Sequence, residues 1–418
     1  MTSILLSMPK AAALARLAPS PTRVLPRALC PTVRPVGDVA LRVALFSGNY
    51  NCVRDGANRA LNRLIGHTLS RGHGARVYSP AIAEPAFPPA GDLVPVASLA
   101  IPGRPEYRLA LRLARATAAD VRAFAPDIVH VSAPDGLNTG AIRLARRMGV
   151  PVVASMHTRF ETYFEYYGLG LLRRPAEAWL RRFYNRCDMV LVPNAGIADE
   201  MRAGGVTSPM RIWSRGVDPQ QFGPHWRDDA WRRRMGLAAH EVAVLFFGRL
   251  VAEKGLAMYE AVIAGLRARG LPVRPLVIGD GPERDRFARR LDGAVMTGHL
   301  GGEALGRAVA SADLFVNPSL TEAFGNVTLE AMASGVPVVA ADVAATRALI
   351  DNGHSGLLVP SRDAAAYIEA AATLIANPER AAALAHNALA TARGFDWAAT
   401  LDAVIDGYRD VARAVNRS

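Results

Sequence analysis

Short apolar runs alternate with amphipathic stretches along most of this chain, and the alternation happens twice. The first series places strand-like runs at residues 41–46, 75–78, 93–97, 128–131, 151–155 and 189–192. Helical stretches at 58–71, 107–123, 139–147 and 176–185 separate most of them. A turn-rich segment at 215–224 interrupts the pattern, which then restarts. The second series has strands at 242–247, 274–278, 295–297, 314–316, 336–340 and 356–359. Its helices fall at 257–268, 283–290, 302–310, 327–333 and 364–375. Strands this apolar are covered on both faces, and strand–helix alternation means a parallel sheet wrapped by helices. The expected fold class is therefore α/β, with two Rossmann-like doubly wound domains of ordinary size.

This pattern divides the chain. Residues 1–38 are rich in Pro, Ala and Arg, hold no acid before Asp38, and read as a leader-like tail or an upstream start. Residues 39–215 form the first half and 216–385 the second, with 386–418 expected as closing helices that cross back to the first half. The three cysteines, Cys30, Cys52 and Cys187, show no metal-type or disulfide-framework spacing and suit a reducing compartment. Charge is uneven. Residues 39–215 carry 23 Arg against 13 acids, a net +10, whereas 216–418 carry a net −2. A field on one half points to an anionic partner, either nucleic acid or anionic lipid. No nucleic-acid motif or Lys cluster accompanies it, so nucleic acid is the weaker of the two.

Of 49 basic residues only 2 are lysines, Lys10 in the tail and Lys254. An ammonium is a compact point charge where a guanidinium is a wide fork, and a tight phosphate pocket can require the former. Lys254 and Arg249 both follow the apolar run 242–247, where two cations can clamp a diphosphate leaving group. A second cluster is Glu322-Ala323-Phe324-Gly325-Asn326-Val327-Thr328-Leu329-Glu330. It places two carboxylates across a strand-end loop and an opening helix, whose amides at Phe324, Gly325 and Asn326 offer an anion site. Two acids near a helix start also suit a solvated surface. Gly279 and Gly281 follow the next strand and allow close backbone approach to a ligand, or simply form a turn. Gly56, Asn58 and Arg59 lie between the first strand and first helix of the other half, positioned to reach the same diphosphate. His157 stands at the end of an apolar strand, where it faces the ligand crevice or serves structure alone.

Together these residues resemble the retaining glycosyltransferases of family 4, with the GT-B fold of two Rossmann-like domains facing across a cleft. The carriers are Arg249 and Lys254, the Glu322/Glu330 pair, the linker Gly216-Val217-Asp218 with Phe222, and the Gly56 loop. The resemblance implies a donor that is a nucleotide diphosphate sugar, with no metal and no other cofactor. It assigns the diphosphate to Arg249, Lys254, Gly56 and the 324–326 amides, and Val327 falls in the same motif. It assigns the ribose to Glu330 and the donor sugar to Glu322 and His157. It implies same-face transfer in which the leaving phosphate accepts the acceptor's proton. Three stretches, at 126–130, 157–163 and 215–218, resemble GDP-mannose-dependent α-mannosyltransferases of glycosyl diacylglycerols and the related sulfoquinovosyl-diacylglycerol synthases. A nucleotide-sugar 2-epimerase shares the fold and is a rival, as are polysaccharide or soluble acceptors.

For the acceptor, residues 104–124 read as an amphipathic helix with Arg104, Arg108, Arg112 and Arg115 on one arc. The aromatic stretch Tyr163-Phe164-Glu165-Tyr166-Tyr167 reads as a loop that dips into an interface or walls a lipid site. Both lead to the expectation of a lipid or glycolipid acceptor and peripheral contact with an anionic membrane. The expected location is the cytoplasmic, inner face of the plasma membrane.

Overall fold

The computed structural model describes residues 40–53, 55–101, 104–157 and 173–415. The aromatic stretch at 163–167 and the tail at 1–38 lie outside them. The first sheet is built from β1 (Arg42–Phe46), β2 (Gly74–Ser79), β3 (Asp92–Pro95), β6 (Ile128–Val131), β7 (Val152–Ser155), β8 (Met189–Val192) and β9 (Met210–Ile212). A two-stranded hairpin, β4 (Leu99–Ile101) and β5 (Arg104–Leu109), stands apart from it. The second sheet contains β10 (Val242–Phe247), β11 (Val273–Ile278), β12 (Val295–Gly298), β13 (Leu314–Asn317), β14 (Val338–Ala341) and β15 (Leu357–Val359).

Strand order is β3-β2-β1-β6-β7-β8-β9 in the first sheet and β12-β11-β10-β13-β14-β15 in the second. Every pairing in both sheets is parallel. In each, the first strand of the half lies inside the sheet and its two neighbours come from opposite winding directions. The crevice beyond the carboxyl end of β1 and β6, and that beyond β10 and β13, are therefore topological switch points, where such sheets bind ligands. Apolar clusters cover both faces of each sheet. That two-sided cover is why the central strands are runs of Val, Leu, Ile and Phe rather than alternating patterns.

The helix Trp397–Val415 leaves the second half and packs on the first. Its Leu401, Val404 and Tyr408 join the cluster containing Val43, Leu45 and Trp213. Asp402 takes hydrogen bonds from Arg71 and pairs with His67, and Asp410 pairs with Arg211. The outgoing linker and the returning chain run side by side. Val217 N–H donates to the Phe395 carbonyl at 3.0 Å. Gly216 makes this possible, because a Cβ there would sit 2.5 Å from Trp397.

One expected element is wrong. Residues 107–123 are not one helix, and the arginine arc of 104–124 does not exist. Arg104–Leu109 is strand β5, antiparallel to β4 with Ile101 opposite Arg104, and the helix covers only Arg115–Phe124. Arg104 and Arg108 are on the strand, Arg112 is in the connection, and Arg115 opens the helix. The cross-strand ladder outweighs an i, i+4 spacing that is also compatible with a strand. Strand β9 and the hairpin strand β4 have no counterpart in the sequence reading; both are only three residues long.

Candidate active site

The site is assembled from loops at the carboxyl ends of β10, β11 and β13. After β10 the chain passes Arg249 and makes a single 3-10 turn, Ala252–Lys254. Gly255 ends this turn at φ 76°, and its α-carbon packs so closely on Pro318 that a Cβ would lie 2.7 Å from the Pro318 carbonyl. The turn is thereby fixed against the β13 loop. Lys254 Nζ donates to Glu322 Oε1 at 2.6 Å, with only 17% and 16% of the two side chains exposed. Burial alone would push the Glu322 carboxyl up. The Lys254 ammonium, reinforced by Arg249, outweighs burial and holds it below the usual carboxylate range.

Beyond Glu322, the helix Asn326–Ala333 begins at Gly325, which has φ 92° and provides no side-chain cap. Its first amides have no side-chain cap, and the positive end of the helix dipole lies there, a few residues after Glu322. The Phe324 ring is buried beside Phe395, so only its backbone faces outward chemistry. Val327 packs with its side chain on the core of the second half.

Glu330 lies further along this helix. Burial pushes its carboxyl up to about 7, against the pull of Arg59 and Arg63 from the first half. That half approaches closely elsewhere too. A Cβ on Gly56 would lie 2.4 Å from the Asn326 amide nitrogen, so the small residue at 56 accommodates a contact across the cleft. Asn194 donates to the Ala323 carbonyl at 3.1 Å. Arg249 reaches the Tyr107 hydroxyl at 3.5 Å and acts electrostatically on Asp55, which caps the first helix.

Some residues singled out from the sequence do something other than face a ligand. The Asn58 amide donates to the Val53 carbonyl and to Asp55, closing its own loop. Gly279 and Gly281 do allow close backbone approach, but to the neighbouring loop. Added Cβ atoms would lie 1.8 Å from the Gly248 carbonyl and 2.4 Å from the Leu250 carbonyl. These glycines let the β11 loop stack under Gly248–Leu250 and so hold Arg249 in place. His157 engages both ring nitrogens inside the protein, with Ser155 and with Arg215, both at 2.8 Å. Burial, then Arg215 and His130, hold its pKa well below the ordinary histidine value, so the ring is neutral. Arg215, Asp55 and Tyr107 are site-wall residues that the sequence reading did not select. Only Arg215 had a signal, as the first residue of the linker motif.

Comparisons with known proteins identify the family. Residues 241–377 match the family described as Glycosyl transferases group 1, and residues 54–221 match Glycosyltransferase Family 4. A GDP-mannose-dependent alpha-mannosyltransferase of Mycobacterium tuberculosis is 32% identical over 389 residues, covering 89% of this chain and 97% of that protein. The chain belongs to the family 4 glycosyltransferases. The sulfoquinovosyl transferase SQD2 of Arabidopsis thaliana is 33% identical over 299 residues, covering 70% of this chain and 58% of that protein. The structure of sucrose-phosphate synthase from Thermosynechococcus elongatus superposes with a TM-score of 0.71 at 19% identity, over 90% of this chain and 100% of that one. This glycosyltransferase thus has the GT-B fold, and its two halves are the two Rossmann-like domains of that fold.

Proposed function

We propose that this glycosyltransferase moves a mannosyl group from GDP-mannose, with retention, to a lipid acceptor at an anionic membrane surface. The observation that carries the reading is the Lys254–Glu322 pair, set beside Arg249, on the loop that leads into the uncapped helix start at Gly325. These groups surround the β10/β13 switch point with the charges a sugar diphosphate needs. Arg249 and Lys254 neutralise the departing diphosphate, doing the work a metal would otherwise do. The 324–326 amides donate to the remaining phosphate oxygens. Glu322, ionised beside Lys254, faces the positive charge that develops on the sugar ring. Glu330 takes the ribose hydroxyls. His157 is neutral and doubly bonded, so it is no general base; the leaving phosphate oxygen itself accepts the acceptor's proton on the same face. The mannosyl donor is favoured by likeness to the mycobacterial mannosyltransferase over nearly its whole length.

The acceptor reading is supported by a concavity of about 710 Å³ in the first half, lined by Arg112, Arg115, Arg122, Arg143 and Arg147 together with Leu111 and Trp179. Leu111 and Trp179 are 59% and 47% exposed, a combination of cations and apolar surface suited to an amphiphilic anion. Among the described residues no helix is long and apolar enough to cross a membrane, so contact would be peripheral. The test begins with melting temperature against a panel of nucleotide sugars, since a ligand bound only by the folded state raises it. GDP-mannose should give the largest rise, and mannose should then appear on a diacylglycerol glycolipid in the presence of a chelator. A rise confined to another nucleotide sugar would replace the donor. Transfer only to soluble saccharides would replace the acceptor, and loss of transfer on chelation would overturn the metal-free reading.

A further inference from the structure

Five residues, four of them buried, from four different parts of the first half and the returning helix form one hydrogen-bonded chain. Arg215 Nη2 lies 2.8 Å from His157 Nδ1. His157 Nε2 lies 2.8 Å from Ser155 Oγ, and that oxygen lies 2.7 Å from His130 Nε2. His130 Nδ1 meets the Tyr408 hydroxyl. Arg215, His130, Ser155 and Tyr408 are all buried.

The first bond sets the His157 tautomer, and a relay with one donation per group extends that direction along the chain. A guanidinium can only donate, so His157 Nδ1 accepts. A neutral His157 then carries its proton on Nε2 and donates to Ser155. Ser155, accepting there, uses its own proton on His130 Nε2. His130 must then carry its proton on Nδ1 and donate to Tyr408. Trp213 stands edge-on to both imidazoles, with centroids 5.0 Å from His157 and 6.1 Å from His130, and fixes the planes of the rings. The Arg215 guanidinium donates to the carbonyls of Trp213 and Ser214 and lies over the Trp213 ring. It also lies 6.0 Å from the Phe324 ring of the second half. Among the described residues it has no carboxylate partner, and its charge acts on His157.

We infer that Arg215, Ser155, His130 and Tyr408 are positioning residues that hold His157 in a single neutral tautomer and orientation at the cleft wall. The chain starts in the linker and ends on the returning helix, the two segments that connect the halves. It therefore ties the wall of the donor cleft to the interdomain crossing. The groups facing the two imidazoles are Ser155 from β7, Trp213 and Arg215 from the linker and Tyr408 from the final helix. Among the described residues none is an acid; burial disfavours protonation of both rings, and Arg215 adds to it at His157. The role in transfer rests on the reading that His157 borders the donor sugar.

The test uses the full chain labelled with nitrogen-15 at histidine, with His157→Gln and His130→Gln to assign signals. His157 should show a proton on Nε2 and His130 on Nδ1, both unchanged from about pH 8 to about pH 5.5, across the range where a free imidazole would titrate. Arg215→Met should release the His157 tautomer and let the ring titrate. If that variant does not fold, Arg215→Lys should keep the tautomer, because it keeps a donor and a charge. Tyr408→Phe should alter the His130 signals and lower turnover about tenfold, with affinity for free GDP unchanged. A His157 proton on Nδ1, or titration of His157 near pH 6.5 in the unaltered protein, would overturn the chain. An intact chain with full turnover in Tyr408→Phe would overturn the positioning role and leave glycosyl transfer standing. The nitrogen spectra need no donor, so failure of the donor assignment is read separately, from the nucleotide-sugar panel.

Discussion

Lys254 is the residue on which composition, geometry and proposed chemistry converge. Removing its ammonium leaves Glu322 largely buried with its counter-charge gone. Breaking a buried pair from one side costs about 3–5 kcal/mol, and because about a sixth of each side chain remains exposed, the lower end applies, about 3 kcal/mol. For a half of this size that is a fall of about 6–12 °C in melting temperature. Lys254→Met should show it. The double variant Lys254→Met/Glu322→Gln should recover most of it, because no charge is then left unpaired. Neither should transfer sugar at more than about a hundredth of the normal rate, since the diphosphate clamp is lost in both. Lys254→Arg is the sharper test. The 3-10 turn that holds residue 254 is pinned by Gly255 against the Pro318 carbonyl, and the ammonium already sits 2.6 Å from its acceptor. A longer, planar cation therefore has no room to be accommodated by backbone movement. Lys254→Arg should keep most of the stability and lose about a hundredfold in turnover. Calorimetry and a steady-state transfer assay on the four proteins decide the matter. Full turnover in Lys254→Arg would refute the pocket argument. Equal melting temperatures for the Lys254→Met single and the double variant would show that the pair is not a thermodynamic unit.

Other outcomes follow from the same geometry. Glu330 has its carboxyl pushed up to about 7, so its ionised form, the one that would accept from ribose hydroxyls in the proposed reading, grows as pH rises through that value. GDP affinity should therefore strengthen by up to about tenfold between about pH 6 and about pH 8, and isothermal titration of Glu330→Gln should show that part of the dependence gone. Gly279→Ala should unfold or severely loosen the second half, because φ is 143° and the new Cβ would lie 1.8 Å from the Gly248 carbonyl. Gly236→Ala, at φ 77° with open space around it, should cost only about 1 kcal/mol by thermal melting. Replacing Arg112, Arg115, Arg122, Arg143 and Arg147 by glutamine should abolish salt-sensitive sedimentation with anionic vesicles and leave GDP binding intact. Equal recovery of the unaltered protein with neutral vesicles would refute electrostatic docking.

The sequence made the second half more legible than the first, and the difference has a physical cause. In the second half several site residues follow an apolar strand within a few positions, as Arg249 and Lys254 follow β10 and Glu322 follows β13. A strand recognised by its Val, Leu and Phe run therefore places the residue at once. The working contacts of the first half join residues far apart in the chain, such as His130 with Tyr408 or His157 with Arg215. No local period encodes these. The hairpin β4–β5 failed for the related reason that its register comes from pairing, while Arg and Leu at spacings of four suit a helix as well. The glycines divide the same way. Gly279 and Gly281 were recognisable as points of close approach, but which backbone approaches is a tertiary fact, and it is the Arg249 loop. Two loops that would otherwise move independently are thus interlocked, Gly255 on Pro318 and Gly279 on Gly248. The loops that carry both cations are held by backbone packing, in addition to the side-chain contacts of Lys254 with Glu322 and Arg249 with Tyr107. A site preorganised in this way can release Lys254 from Glu322 to a diphosphate without rearranging its loops, which is what a charge-neutralising clamp requires.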